Sequence, residues 1–486
     1  MKKKKLLLIA PSPKERNKSK FSLIHPMPGM LAKAGTKMIS VPPLSLAMIA
    51  AYTPKDWEPE IIDERVQDVD CGQYADLVAI TYHTASAPRA FYLSKQFRDR
   101  KILTAGGGPA ATIDPGEAQQ HFDVVFIGEA EGLWQRAMDD FKHGRLQRRY
   151  QHEKDTFPSL VGLAEPRRDL INAREYSTIN TVQISRGCPH NCDFCSAKKL
   201  SGGTYRHKPL DDVIEEVMKM RDFQQPPTNN LVDRLVKWNL NKYNFMIFVD
   251  DNISGNRQYA KELFRRLIPL GITWGGQASR TIGGDEELLD LAAESGCQTL
   301  FIGFESIFDE TLGEMGKGWG KNPDKLREHK DLIKKLHDRG IGINGAFILG
   351  YDGDPADVFE RTVDFIERNH IEMVQFTVPT PYPGTPLRER LLAEGRILPQ
   401  YGWEHYDCST VVIKPPKSMR DESGIDMTPE EFQAKFDWAY DQVCSYPSIL
   451  RRVRQDRPLF YITNMLYRWA LHEQRRSPFS KTLESP

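Results

Sequence analysis

Apolar residues recur in two rhythms along this chain, and the rhythm restarts near the middle. Up to residue 150, short apolar runs alternate with longer amphipathic ones. Lys5–Ala10 reads as a strand, Pro43–Tyr52 as a helix opened by prolines, and Glu60–Asp63 as a strand with an acidic end. Asp76–Thr81 is an unbroken apolar run, as a parallel strand covered on both faces requires. Arg89–Arg98 reads as helix. Lys101–Ala105 and Asp123–Ile127 read as strands, ending in Gly106-Gly107-Gly108-Pro109 and Gly128-Glu129-Ala130-Glu131. The pattern is doubly wound α/β, in which ligands bind beyond the carboxyl ends of strands. Residues 151–177 are polar and broken by prolines, as expected of a linker.

From residue 178 a second series begins. The expected strands are Thr181–Ser185, Phe245–Val249, Ile272–Ala278, Thr299–Phe304, Gly342–Leu349 and Met373–Val378. The expected helices are Asp211–Met220, Gln258–Ile268, Glu286–Ser295, Lys325–Asp338 and Val358–Arg368. Six β/α repeats to residue 390 are too few for a closed eightfold barrel of about 250 residues, so a partial (β/α)6 TIM-like barrel is expected. Asp222–Tyr243 reads as an insertion of unassigned role. Residues 391–486 form a mainly helical region. Thr428 and Pro429 open one helix there, and Leu459, Ile462, Leu466 and Trp469 share a face of another, bracketed by Arg451, Arg452, Arg454 and Arg468. That face reads as core packing rather than a membrane anchor.

Composition narrows the function classes. The 486 residues are 40% hydrophobic, enough for packed cores. Lys plus Arg equals Asp plus Glu at 66 each, so no basic field favours a nucleic-acid partner. Met1–Lys5 resembles a signal peptide's basic start, but the apolar run is short and Pro11 follows. No run is long enough to span a membrane. A cytoplasmic protein is expected.

Within Ile184–Ser196 the cysteines Cys188, Cys192 and Cys195 form a CxxxCxxC run. Three thiolates so spaced can hold three irons of a four-iron cluster and leave the fourth open for chemistry. A closed zinc site would need a further CxxC or His pair, and Cys71, Cys297, Cys408 and Cys444 are scattered singly. Cys297 reads as an inert core thiol. Cys408 is either a substrate-side hydrogen donor or a plain buried thiol.

Cys188-x3-Cys192-x2-Cys195 after the first strand of six β/α units, with Phe194 before the third cysteine, resembles the radical S-adenosylmethionine (SAM) superfamily. Pro42–Ala47, Gly107–Thr112 and Gly128–Glu131 resemble the cobalamin-binding-type domain that precedes many of these barrels. The Asp-x-His-x-x-Gly signature is absent and Ala110 stands where a His often follows Gly-Gly-Pro, so no histidine of that motif is available to cobalt.

The resemblance implies that SAM's amine and carboxylate chelate the open iron. An electron from the reduced cluster then yields a 5′-deoxyadenosyl radical that abstracts hydrogen. It implies a reductant such as flavodoxin or ferredoxin, and a small, mildly hydrophobic substrate. Asp250, Asp251 and Asn252 stand where relatives engage the SAM amino group, though a family Gly-Gly-Glu is missing; one of the three would cap the next helix instead. Glu305 is expected on the ribose hydroxyls or as a cap. Gln277 and Ser279 are candidates for the SAM carboxylate, with Arg280 as charge partner. Within Tyr205–Lys208, Arg206 is a candidate for SAM or substrate, and Lys208 for a surface basic turn. Gly107, Gly108 and Glu129 are candidates for cobalamin, and Pro379–Pro386 for the adenine side of the sixth strand or a plain turn.

The activity expected is a cobalamin-dependent radical SAM C-methyltransferase. A non-methylating cyclase or oxidoreductase of pigment, lipid or secondary metabolism stays open, as does a non-catalytic metal-binding or electron-transfer module. A tRNA methylthiotransferase fits less well, because its second cluster needs N-terminal cysteines and Cys71 stands alone.

Overall fold

A computed structural model describes residues 3–12, 41–153, 156–226, 231–316, 325–420, 423–453, 460–465 and 468. Two six-stranded sheets organise them.

The first sheet contains β1 (Lys4–Ala10), β2 (Trp57–Asp63), β3 (Leu77–Thr81), β4 (Leu103–Gly107), β5 (Val124–Ile127) and β6 (Arg149–Gln151), in the order β2-β1-β3-β4-β5-β6. Every pairing is parallel. The central strand shows why the sequence folds this way. Leu6 and Leu8 enter one core with Trp134 and Tyr176, while Leu7 and Ile9 enter another with Val78 and Phe97. An apolar run with both parities buried must lie between two layers of helices. The chain leaves β1 toward β2 on one side and toward β3 on the other, so the order reverses at β1/β3.

The sequence-expected elements recur with small shifts; β4 begins at Leu103 rather than Lys101. The helices Pro109–Ile113, Pro115–His121 and Leu133–Lys142, and the edge strand β6, are additions to the sequence reading.

The second sheet comprises β7 (Thr181–Val182), β10 (Phe245–Phe248), β11 (Thr273–Ala278), β12 (Cys297–Glu305), β13 (Gly342–Ile348) and β14 (Met373–Thr377). Its strands neighbour one another in chain order and run parallel, as a partial barrel requires. Along β12, Leu300, Ile302 and Phe304 are buried against the helices, while Phe301, Gly303 and Glu305 of opposite parity are only half-buried. Gln277 and Gln375 are exposed on their strands. A polar, accessible inner face and a greasy outer face define the lumen.

One expected strand is broken. Thr181–Ser185 does not run straight into the cysteine loop. β7 ends at Val182, and Ser185–Arg186 (β8) turns away to pair antiparallel with Arg206–His207 (β9). The buried Asp250 carboxylate causes the break: it accepts the Ile184 N–H at 3.1 Å and that of Ser185, taking donors that would extend the ladder.

The 222–243 segment holds a helix, Leu231–Lys242, whose buried Lys237 donates to the carbonyls of Ala173 and Arg174. Thr428 caps the helix Pro429–Val443 by accepting from Glu431 N–H. Helix Tyr446–Arg452 follows. Ile462 is half-buried in a helical stretch; Leu459, Leu466, Trp469 and Arg454 lie outside the described residues. No helix among the described residues is long and apolar enough to cross a membrane.

Candidate active site

The loop bearing Cys188, Cys192 and Cys195 starts at β8 and ends in the short helix Ala197–Ser201. The β8/β9 ribbon staples its base. At Gly187 (φ +97°) a Cβ would lie 2.1 Å from the Thr204 carbonyl oxygen, so only glycine permits the turn. Asp193 pins the far side: its N–H donates to Met315 O, its carbonyl accepts from Leu387 N–H, and its carboxylate accepts from the Tyr351 hydroxyl and Arg390. Phe194 meets the Tyr351 ring edge-on at 6.4 Å.

None of the three thiols is in a disulfide; Cys188 and Cys192 are half-buried and Cys195 is exposed. Among the described residues no three His, Cys, Asp or Glu side chains gather closely enough to hold one metal ion. Three reduced thiols around an accessible loop suit a larger group, and an all-sulfur donor set suits iron.

Tyr205 stands against this loop. Gly255 makes room for it, since a Cβ there would sit 2.2 Å from the ring. Asn252 Nδ2 donates to the Tyr205 hydroxyl oxygen at 2.8 Å. Burial, then the neighbouring Cys188 sulfur, push the phenol up to about 12. Because the amide donates into its oxygen, the hydroxyl proton is directed toward that sulfur.

The structure separates the acidic triplet after β10. Asp250 is buried and spent on the backbone of Ile184 and Ser185 and on the Ser185 hydroxyl (2.8 Å). It does not face a SAM amine. Burial, offset in part by these bonds, pushes its carboxyl up to about 7. Asn252 is also spent: its Oδ1 accepts from Ser254 N–H, Ser254 Oγ–H and Ser279 N–H. The next helix is capped by Asn256, not by any of the three.

Asp251 differs. Its side chain has solvent-accessible surface, yet desolvation raises its carboxyl. Accessible area and crowding coexist when a group lines a recess. It makes no hydrogen bond or ion pair with another described residue.

Glu305 ends β12 in a left-handed conformation (φ +66°), beside a register shift between Gly303 and Glu305. Such a backbone is costly for a non-glycine residue and re-aims the side chain. Arg280, buried and next to His329, feels the charges of Glu305 and Cys192; burial still leaves its guanidinium below its ordinary value. Gln277 projects from the exposed parity of β11, and Ser279 Oγ is 2.6 Å from Thr281 Oγ1.

Arg206, Glu129 and Lys208 are each engaged within the protein. Arg206 donates to Glu129, Pro158 O and Ser201 O and stacks over Phe157. Glu129 also accepts from Arg186 at 2.8 Å, and Arg186 reaches Glu131 at 2.7 Å. Glu129 therefore ties the first sheet to the ribbon through two guanidiniums. Lys208 is buried and paired with Glu216 at 2.9 Å, not part of a surface turn. Gly108 (φ +95°) is required by close approach: a Cβ would lie 2.5 Å from Thr81 Oγ1. Gly107 ends β4 where a Cβ would be in ordinary contact with Phe126, so no close approach requires glycine there.

Cys297 is buried in the barrel core. Cys408 (φ +64°) lies 3.0 Å from the Tyr382 hydroxyl, its thiol pushed up by burial. Asp193, Arg186 and Asn256 were missed as anchors. Asp193 and Arg186 lie within the Ile184–Ser196 run, and Asn256 stands just before its helix as an N-cap residue does, so each carried a local signal.

Residues 182–366 match the family model of the radical SAM superfamily. Bacteriochlorophyllide d C-12(1)-methyltransferase of Chlorobaculum tepidum is 30% identical over 410 residues, 83% of this chain and 84% of that one. Hopanoid C-2 methylase of Rhodopseudomonas palustris is 26% identical over 368 residues, 74% of this chain and 66% of that one. Among solved structures, the radical SAM methyltransferase TsrM from Kitasatospora setae, with cobalamin and a [4Fe-4S] cluster bound, superposes over 99% of this chain and all of its own. Its TM-score is 0.65 at 14% identity, a likeness of fold. A chain that matches the family model through its barrel and a methyltransferase along most of both lengths belongs to the radical SAM superfamily, in the class whose barrel follows a cobalamin-binding-type domain, and is an enzyme that draws on a [4Fe-4S] cluster and SAM.

Proposed function

We propose that the protein methylates a carbon of a small, largely apolar molecule, with cobalamin held by the first sheet. One observation carries this reading. The carboxyl ends of β4 and β5 abut the cysteine loop directly: helix Pro109–Ile113 packs on helix Ala197–Ser201, and Glu129 reaches Arg186 and Arg206 on the ribbon. A cofactor at those strand ends would face SAM at the cluster. The open space at Gly128, where a Cβ would meet nothing within 4 Å, suits a flat macrocycle.

When bound, the cluster supplies the electron that cleaves SAM and the corrin supplies a methyl carrier. The chain's residues do the holding. Cys188, Cys192 and Cys195 bind three irons. Asp251 accepts from the SAM ammonium, and Glu305 from the ribose hydroxyls, with Arg280 balancing its charge. Gln277 and Ser279 lie toward the SAM carboxylate. The reductant in this reading is an external flavodoxin or ferredoxin, and the setting is cytoplasmic.

Relatives named for bacteriochlorophyllide d make that tetrapyrrole class the first substrate to try. Anaerobically reconstituted protein, given SAM and reductant, is expected to release 5′-deoxyadenosine and add one CH2 to the substrate. Cys192→Ala should lose both cluster and deoxyadenosine. A product changed by oxidation or ring closure without the added CH2 would favour a cyclase instead.

A further inference from the structure

β3 ends at the β1/β3 reversal point, where a doubly wound sheet holds its ligand, and the residues that follow are Tyr82 and His83. Tyr82 turns inward and is buried against Phe91 and Phe122. His83 turns the other way and is exposed. The turn Thr84–Ser86 needs nothing from the imidazole: Ser86 Oγ accepts from His83 N–H at 3.1 Å and donates to its carbonyl at 3.2 Å. The ring makes no hydrogen bond, ion pair or ring contact with another described residue.

Other histidines are engaged. His121 stacks on Phe91, His152 bonds the Glu129 carbonyl, His207 stacks on Tyr259 and His405 packs on Tyr401. Although accessible, His83 is crowded: burial, then the charge of Arg65, lower its basicity. The C-terminal turn Trp403–His405 packs on Thr84–Ser86 beside it. The imidazole is therefore accessible, without a partner among the described residues, and placed at the ligand-binding edge beside the Trp403–His405 turn. A neutral imidazole nitrogen is a good ligand for a transition metal.

We propose that His83 is the protein's axial ligand to the cobalt of the corrin, entering from a strand end rather than from the absent Asp-x-His-x-x-Gly motif. The proposal rests on cobalamin binding to the first sheet. The experiment uses full-length protein grown with nitrogen-15-labelled histidine, loaded anaerobically with hydroxocobalamin, desalted and reduced to the cob(II)alamin state. Retained corrin is measured first, by absorbance after cyanide extraction.

Electron paramagnetic resonance then reads the axial nitrogen. A histidine ligand turns the triplet splitting on the cobalt lines into a doublet when labelled, whereas the cofactor's own base leaves a triplet. The doublet is expected in the wild type, and its loss in His83→Ala that still retains corrin. Retained corrin with a triplet, with no splitting, or with a doublet that survives in His83→Ala overturns the assignment while leaving cobalamin binding intact. No retained corrin in the wild type overturns the cobalamin reading and the assignment with it. Where His83→Ala does not retain corrin, His83→Gln, which keeps size and polarity, replaces it, and a doublet surviving in His83→Gln overturns the assignment in the same way.

Discussion

Asp250 and Asp251 are neighbours in sequence and opposites in circumstance. Asp250 is sealed in and its carboxyl is pushed up to about 7, so folding favours its protonated form. Stability from this group is full below the unfolded carboxylate range and is lost as pH rises through about 7. Asp250→Asn should flatten that slope, which comparing the two melting curves from acid to neutral pH will test; the wild-type loss should not exceed about 4 kcal/mol. Asp251→Ala should leave iron content unchanged and weaken SAM binding roughly tenfold to hundredfold, the worth of a hydrogen bond to a charged group, read by equilibrium dialysis on reconstituted protein. The sequence showed an acidic pair at a strand end. It did not show which member faces inward, because that depends on where β7 breaks, and Asp250 itself makes the break.

Elements were legible where their signals are local. The Thr428-Pro429 cap and the apolar runs of β1 and β3 are written in consecutive residues. The Arg168–Glu216–Lys208 triad is not. Its members come from the connection, a helix and the residue after β9, and meet buried at 2.5 and 2.9 Å. In sequence, Lys208 looks like the end of a basic turn. Glu216→Leu should leave two buried cations without their acid and cost about 3–5 kcal/mol, measured by denaturant unfolding. Should the variant unfold like the wild type, water must already solvate the triad. The β8/β9 ribbon was equally hidden, since two-residue strands carry no period.

Across the whole molecule, the fold class and the open cluster loop were readable, while the docking of the two sheets was not. Charged residues at strand ends look like ligand contacts whichever surface they meet, so Glu129 and Arg206 read as cofactor residues while their pairing with each other stayed hidden. Burial works most strongly against Glu131's charge, but its bond to Arg186 and the charges of Arg186 and Arg206 together outweigh that and keep its carboxyl below the ordinary range. Acid should therefore loosen the tie as pH falls through the carboxylate range. Glu129→Gln should weaken the docking by about 2–5 kcal/mol and speed proteolytic cutting within residues 151–177, while the separate cores stay folded. The Glu129–Arg186–Arg206 contact also bears on anyone recombining this family. The first sheet is not a cartridge to be exchanged at a linker, because half of its lock sits on the ribbon flanking the cluster. A chimera that takes one half from another parent inherits mismatched keys unless Glu129, Glu131, Arg186 and Arg206 travel together.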